Sequence, residues 1–363
     1  MITISNPIID KHEVKAAAKV LYSRNIAQGN VVHILENNFS KFCGTKFAVA
    51  INSGTSALHT ALYAADIHTG DEVITTPFTF VATANAILMV GALPVFVDID
   101  PITYNIDPQE IEKAVTKKTK AIIVVNLYGQ PADFGAITKI AKKFKLVVIE
   151  DAAQSVNAVY KGRKSGNLAD LSCFSFYATK NITCGEGGMI TTNNKSYFQK
   201  AKQFINHGQK TNGIYEYVDI GLNLRMTDIE AAILLEQLKK VDWITKQRQE
   251  YAKIYNKAFK NITGIEIPYI SSYTNHVFHQ YTIRITKDFP LSRNQLIAYL
   301  QNKGIQTRVY YPKLLYKYPH LKKSIHKECR SAIKASNEVL SLPIHPALTK
   351  KEVNFIIETI SSI

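Results

Sequence analysis

Three short segments of this 363-residue chain set reactive or charged side chains directly beside apolar runs. Tyr177-Ala178-Thr179-Lys180-Asn181 puts a lysine between the run 171–176 and the glycine-rich stretch Gly185-Glu186-Gly187-Gly188. A lysine amine in such a turn can act as a nucleophile toward a carbonyl. Asp151-Ala152-Ala153-Gln154 follows the apolar run 146–150. A carboxylate there is costly unless it meets a cation or hydrogen-bond donors. Asn52-Ser53-Gly54-Thr55 is a small-residue turn that feeds a helix, where free N–H groups and the helix dipole suit a phosphate. Taken singly, each has an ordinary explanation: a surface lysine, a helix-capping Asp, and a cap built of Ser, Gly and Thr.

The elements that must position these segments form an alternating series. Apolar runs at 47–51, 72–76, 93–97, 121–127, 146–150, 171–176 and 189–192 read as strands, and 56–65, 81–90, 108–115 and 134–144 as helices. Strands alternating with helices imply an α/β fold with a mostly parallel seven-stranded sheet flanked by helices. The unbroken run at 121–125 suits a strand buried on both faces. Ligands bind beyond the carboxyl ends of such strands, so the three segments meet on one edge. A phosphate seat, a carboxylate and a lysine are together the protein parts that pyridoxal phosphate needs.

Past residue 192 the pattern changes. Thr227-Asp228-Ile229-Glu230 is a capping box that opens a long helix, expected to run to Asn261 with a bend near Trp243. Strand 280–285 and helix 292–303 follow. The length calls for two domains, and we expect an N-terminal arm over 1–12, a large domain over 13–240 and a smaller C-terminal α/β domain over 241–363 that includes the linking helix.

Composition excludes several classes. Apolar residues make up 46% and charged residues 20%, as in ordinary soluble proteins. No apolar run approaches the ~20 residues of a membrane span, and the start has no signal-peptide pattern. Cys43, Cys173, Cys184 and Cys329 show no metal-ligand spacing, so no metal is expected and reduced thiols point to the cytoplasm. The net charge of +15 is spread in short lysine clusters. With no helix-turn-helix, zinc or RNA-binding signature, it reads as a solvated basic surface and not as a nucleic-acid site.

In combination the motifs resemble the DegT/DnrJ/EryC1/StrS sugar aminotransferases, a branch of the fold-type-I pyridoxal-phosphate enzymes. The match runs from Gln28-Gly29 to about Pro312 and includes Asn52-Ser53-Gly54-Thr55-Ser56-Ala57-Leu58, Glu150-Asp151-Ala152-Ala153-Gln154-Ser155, Thr179-Lys180-Asn181, Asn206-His207-Gly208 and Gly221-Leu222-Asn223-Leu224-Arg225-Met226. The resemblance implies that Lys180 holds the cofactor as a Schiff base and then moves the proton. It implies that Asp151 pairs with the pyridine nitrogen and Gln154 with the phenolic oxygen. Gly54, Thr55 and Ser175 would hold the phosphate, and Phe80 would stack on the ring, unless it simply packs in the core. Asn223 would reach the phosphate from the neighbouring subunit of a homodimer, and His207 and Tyr310 would face the substrate.

The reaction implied is ping-pong: L-glutamate leaves its amine as pyridoxamine phosphate, and a nucleotide-linked keto sugar accepts it, for an amino sugar of a surface polysaccharide or glycoconjugate. The segment His276-Val277-Phe278-His279-Gln280-Tyr281 is closest to perosamine-type members, which favours a C4 ketone over C3. Two departures stand out. Tyr310-Tyr311-Pro312 replaces the usual His-Tyr-Pro, which leaves the sugar open, and Asn157-Ala158 replaces Gly-Ala, an expected packing change. A sugar dehydratase of the same fold would carry histidine in place of Lys180. A cyclitol aminotransferase shares the same motifs.

Overall fold

The computed structural model describes residues 1–210 and 215–363. Seven strands of one large sheet are β1 (Phe47–Ile51), β2 (Glu72–Thr75), β3 (Leu93–Phe96), β4 (Thr119–Val125), β5 (Val147–Asp151), β6 (Leu171–Ser175) and β7 (Gly188–Thr192). Their order is β1-β7-β6-β5-β4-β2-β3, and an eighth, two-residue strand, Ile325–His326, adds to the β3 edge. The expectation of seven strands therefore gains one, supplied by the C-terminal part of the chain. All pairings are parallel except those of β7, which runs antiparallel between β1 and β6.

Burial on both faces explains why the strands are apolar runs, with β4 inside from Ala121 to Val125. The strand expected over 121–127 stops at Val125 because Asn126 leaves the ladder. Its side-chain amide donates to Glu150 Oε1 at 2.8 Å, and the chain turns through Leu127–Gly129 with Tyr128 in the left-handed region (φ 57°). Register then fixes the working edge. Val125 pairs with Asp151, Asp151 with Cys173, and Gly188 with both Ile51 and Ser175. The ends of β1, β5 and β6 and the start of β7 thus lie side by side.

The capping box at Thr227 and Glu230 opens a helix that runs unbroken through Trp243 over Asp228–Phe259, two residues short of the expected Asn261. Leu234, Val241 and Ile244 pack with Val32, Leu35 and Phe39 beside the large sheet. Tyr251, Ala252, Tyr255 and Phe259 enter a different core, built on the antiparallel sheet of Ile265–Glu266, Tyr281–Ile285 and Val339–Leu342. One rigid element therefore carries both cores. Among the described residues no helix is long and apolar enough to cross a membrane.

Two long-range contacts explain local sequence. Asn157 adopts φ 68°, a conformation that favours glycine, and its amide donates to Asp242 Oδ1 at 2.9 Å and Thr245 Oγ1 at 3.1 Å on the long helix. The Asn157 departure is thus a packing change. Helix Asn30–Cys43 has no side-chain cap of its own. Asp228 caps it instead, accepting from the N–H groups of Gly29 (2.9 Å), Val31 (3.2 Å) and Val32 (2.9 Å). A Cβ at Gly29 would lie 2.8 Å from that carboxylate, which accounts for the glycine. Asp228→Ala leaves three amides unpaired and is expected to lower stability by about 2–3 kcal/mol. Urea denaturation checks this, and an unchanged midpoint would refute the capping role.

Candidate active site

A cavity of about 510 Å³ opens at the shared strand edge, walled by Gly54, Thr55, Phe80, Asp151, Gln154, Ser175, Lys180 and Tyr310. Eight of the residues singled out from sequence meet there. Asp151 ends β5 and is buried. Thr83 Oγ1 donates to its Oδ2 at 2.8 Å and the Ala153 N–H to its Oδ1 at 3.2 Å. Burial raises its pKa, opposed by these two bonds and by the charge of Lys180. Behind it, Glu150 accepts from Asn126, Ser165, Ser172 and the Gly166 N–H, a network that fixes the end of the strand.

Lys180 lies in the turn after β6, its N–H bonded to Tyr177 O at 2.9 Å. Burial pushes its ammonium down to about 8, partly offset by Asp151. Its neighbour Asn181 is anchored on both sides: the amide donates to Val277 O at 3.3 Å, and His279 Nδ1 donates to Asn181 Oδ1 at 3.1 Å. Arg248, buried in the long helix, donates to the carbonyls of Phe278, His279 and Ile344 at 3.1, 3.2 and 2.8 Å. The lysine turn is therefore tied, through 277–279, to the second core.

The anion cradle is equally specific. Ser53 Oγ accepts from the Ser56 N–H at 3.1 Å and so opens helix Gly54–Ala64, whose first amides, at Gly54 and Thr55, have no intrahelical partner. Ser175 closes the cradle from β6. A Cβ on Gly54 would sit 2.7 Å from Ser175 Cβ and fill the space. Phe80 is 59% exposed on the cavity wall, so it does not pack in the core. An anion cradle, a buried carboxylate lacking a full cationic partner, an amine of depressed pKa and a bare aromatic face together fit pyridoxal phosphate.

Gln154 is held by both ends: Oε1 accepts from the Tyr128 N–H at 2.8 Å, and Nε2 donates to Tyr311 Oη at 2.9 Å. Tyr128 and Tyr311 both have left-handed backbone (φ 57° and 66°), uncommon for non-glycine residues and frequent at functional sites. Tyr311, His279, Gln280, Arg308 and Ser5 line the cavity without having been singled out. Tyr311 and Arg308 belong to the basic, tyrosine-rich stretch 308–318, which from sequence reads as a small-domain wall or sugar pocket; His279 and Gln280 lie in the segment 276–281, and Ser5 had no signal. His207 and Asn223 do not line this cavity: both are exposed, and they lie on adjacent paired segments through the Asn206–Asn223 bridge. Among the described residues no group of His, Cys, Asp and Glu could hold a metal ion.

Residues 7–361 match the DegT/DnrJ/EryC1/StrS aminotransferase family model. The chain is 41% identical to UDP-2-acetamido-2-deoxy-3-oxo-D-glucuronate aminotransferase of Pseudomonas aeruginosa, over 93% of this chain and 92% of that protein. It is 37% identical to GDP-perosamine synthase of Caulobacter vibrioides, over 100% and 98%. A solved structure, a putative sugar aminotransferase from Streptococcus pneumoniae in its PMP form, superposes with a TM-score of 0.93 at 30% identity, covering 99% of this chain and 97% of that one.

The depressed pKa of Lys180 has a direct consequence. In cofactor-stripped protein, labelling of Lys180 by a small amine reagent, read by peptide mass spectrometry, is expected to rise with a midpoint near pH 8, because the neutral amine reacts. A midpoint at the ordinary lysine value of about 10.4 would contradict the burial argument.

Proposed function

We propose, from the premise that the chain belongs to the DegT/DnrJ/EryC1/StrS aminotransferase family, that it moves an amino group from L-glutamate to the ketone of a nucleotide-linked sugar. It is a pyridoxal-phosphate-dependent aminotransferase. The observation that carries the reading is the convergence of Lys180, Asp151 and the Gly54–Thr55–Ser175 cradle on one cavity.

When bound, the cofactor supplies a carbonyl with which amines condense and a ring that takes up electrons. The chain's residues have distinct tasks in this reading. The Gly54 and Thr55 amides and Ser175 Oγ bind the phosphate. Asp151 keeps a proton at the ring nitrogen, while Phe80 covers one ring face and excludes water from it. Gln154, clamped by Tyr128 and Tyr311, presents its remaining amide hydrogen to the phenolic oxygen. Lys180 Nζ, neutral above about pH 8, takes the proton from the substrate carbon and returns it on the other side of the transfer.

His207 and Asn223 lie outside their own protomer's cavity, and we assign them to the substrate and phosphate sites of a second copy. The apolar residues exposed beside them, Tyr217 (57%), Val218 (60%) and Ile220 (78%), support a homodimer face there. Tyr310 replaces the usual histidine at the sugar end. The name of the Pseudomonas relative places a ketone at C3. The perosamine likeness favours C4, and we place the acceptor ketone there, with C3 as the alternative that the substrate panel below tests. The product serves polysaccharide or glycoconjugate synthesis. Four buried free cysteines support the cytoplasm as its compartment. The separate cores support two domains joined by the long helix. Val241 and Ile244 still belong to the large-sheet core, so the crossing falls between Ile244 and Tyr251, past the expected 240/241. The arm over 1–12 is attached through Ile2 and Gly304.

Addition of pyridoxal phosphate is expected to give a visible absorption band that glutamate bleaches and that Lys180→Ala abolishes. A panel of UDP-, dTDP- and GDP-linked 3-keto and 4-keto sugars then identifies the product by mass spectrometry. A band that no amino donor bleaches would reject transamination.

A further inference from the structure

Segments 204–210 and 216–224 pair as a two-stranded ribbon that carries both His207 and Asn223. Its backbone bonds run from Leu222 N–H to Phe204 O (2.7 Å), His207 N–H to Leu222 O (3.0 Å), Val218 N–H to Gly208 O (3.0 Å) and Lys210 N–H to Glu216 O (2.8 Å). The base of the ribbon is fixed beside the anion cradle, where Asn52 N–H donates to Leu224 O at 2.9 Å and Ile51 bridges to Arg225. Held there alone, the ribbon would be free to swing about its base. A second attachment comes from the far end of the cradle helix. Tyr63, in the last turn of Gly54–Ala64, donates from its hydroxyl to Asp219 Oδ2, and its ring stacks on Phe204 with centroids 4.1 Å apart and planes 21° from parallel. Asp219 lies where the two strands touch with no side chain between them. A Cβ on Gly208 would fall 1.7 Å from Asp219 O, and one on Gly221 would fall 2.0 Å from Gly208 N. Such close backbone approach is open only to glycine, and neither strand can shift there without the other. His207 directly precedes this crossing, with φ 59°, and Asn223 lies two residues beyond it. Whatever fixes Asp219 therefore fixes both.

We propose that Tyr63 is a positioning residue for the neighbouring copy's site: by holding Asp219 it aims the ribbon that presents His207 and Asn223 to that copy. The proposal rests on the assignment of those two residues to a second copy and deepens it, because it names the contact that sets their direction. One helix then serves two sites. Its first amides, at Gly54 and Thr55, face the cavity of its own chain, and its last turn steers the groups delivered to the other. The stacked ring supplies packing but no fixed direction toward Asp219. The hydroxyl supplies the direction, since a hydrogen bond to an ionised acceptor is strong and geometrically specific. Tyr63→Phe separates the two contributions, keeping the stack on Phe204 and removing the bond to Asp219.

The test times cofactor release from the full-length, cofactor-loaded protein, which needs no amino donor and so does not depend on transamination. The protein is diluted into a phosphatase that consumes free pyridoxal phosphate, and the loss of the visible band is followed. Asn223→Ala should speed release roughly 10–100-fold, the scale of one hydrogen bond to a charged group. Tyr63→Phe should speed it by roughly 3–10-fold, and should add nothing in the Asn223→Ala background, because the two act through one contact. A hybrid dimer of one Tyr63→Phe chain and one Lys180→Ala chain decides where Tyr63 acts. Its one Schiff-base lysine sits in the Tyr63→Phe chain, whose neighbour retains Tyr63, so release at the unaltered protein's rate is expected. Release at the rate of the Tyr63→Phe homodimer would confine the effect to one chain and overturn the proposal. An unchanged rate in the Tyr63→Phe homodimer, where Asn223→Ala does speed release, would overturn it as well. If Asn223→Ala itself leaves release unchanged, the assignment of Asn223 falls and takes the proposal with it.

Discussion

Asp151 is a carboxylate at the end of a strand that is buried on both faces, and removing such a group from water is expensive unless donors and a cation compensate it. Thr83 and the Ala153 amide supply two donors, and the charge of Lys180 supplies part of the rest. The compensation is incomplete, since the net direction of the Asp151 pKa is upward. In the proposed reading, Asp151 would gain the missing compensation by holding a proton at the ring nitrogen of the cofactor. In this account the burial that makes the carboxylate costly also makes it effective, because an ion pair is stronger away from water.

Lys180 depends on the same burial. A fully hydrated ammonium would stay charged at neutral pH, whereas burial brings this one down to about 8, within reach of the working range. Its turn is held through Asn181, His279 and Arg248, the last on the helix that spans both cores. The position of the amine relative to the carboxylate therefore depends on how the C-terminal core sits against the large sheet. Glu150 adds rigidity from the other side, its four acceptor bonds fixing the strand that ends in Asp151.

Much of this was legible in the sequence because parallel strands buried on both faces leave unbroken apolar runs, and because a cavity at their ends needs polar residues just after them. Lys180, Asp151, Gly54, Thr55 and Ser175 are local to such strand ends. What could not be read depends on distant partners. Helix Asn30–Cys43 carries no start signal of its own because its cap, Asp228, comes from 199 residues away from Gly29. The clamp on Gln154 joins Tyr128 and Tyr311, both in left-handed conformations that their residue type does not announce. Arg248 lies buried on the long helix among three carbonyls, partners that come from residues 278, 279 and 344 and leave no local mark around it.

The central claim, that the charge of Asp151 drives the transfer, is tested most directly by Asp151→Asn, which keeps the shape and removes the charge. The measurement is the rate at which saturating glutamate bleaches the visible band of the cofactor-loaded variant. The account predicts a variant that still binds the cofactor through Lys180 but bleaches roughly 10²–10³-fold more slowly, the scale of losing one aimed electrostatic contact. Bleaching at the unaltered rate would contradict it.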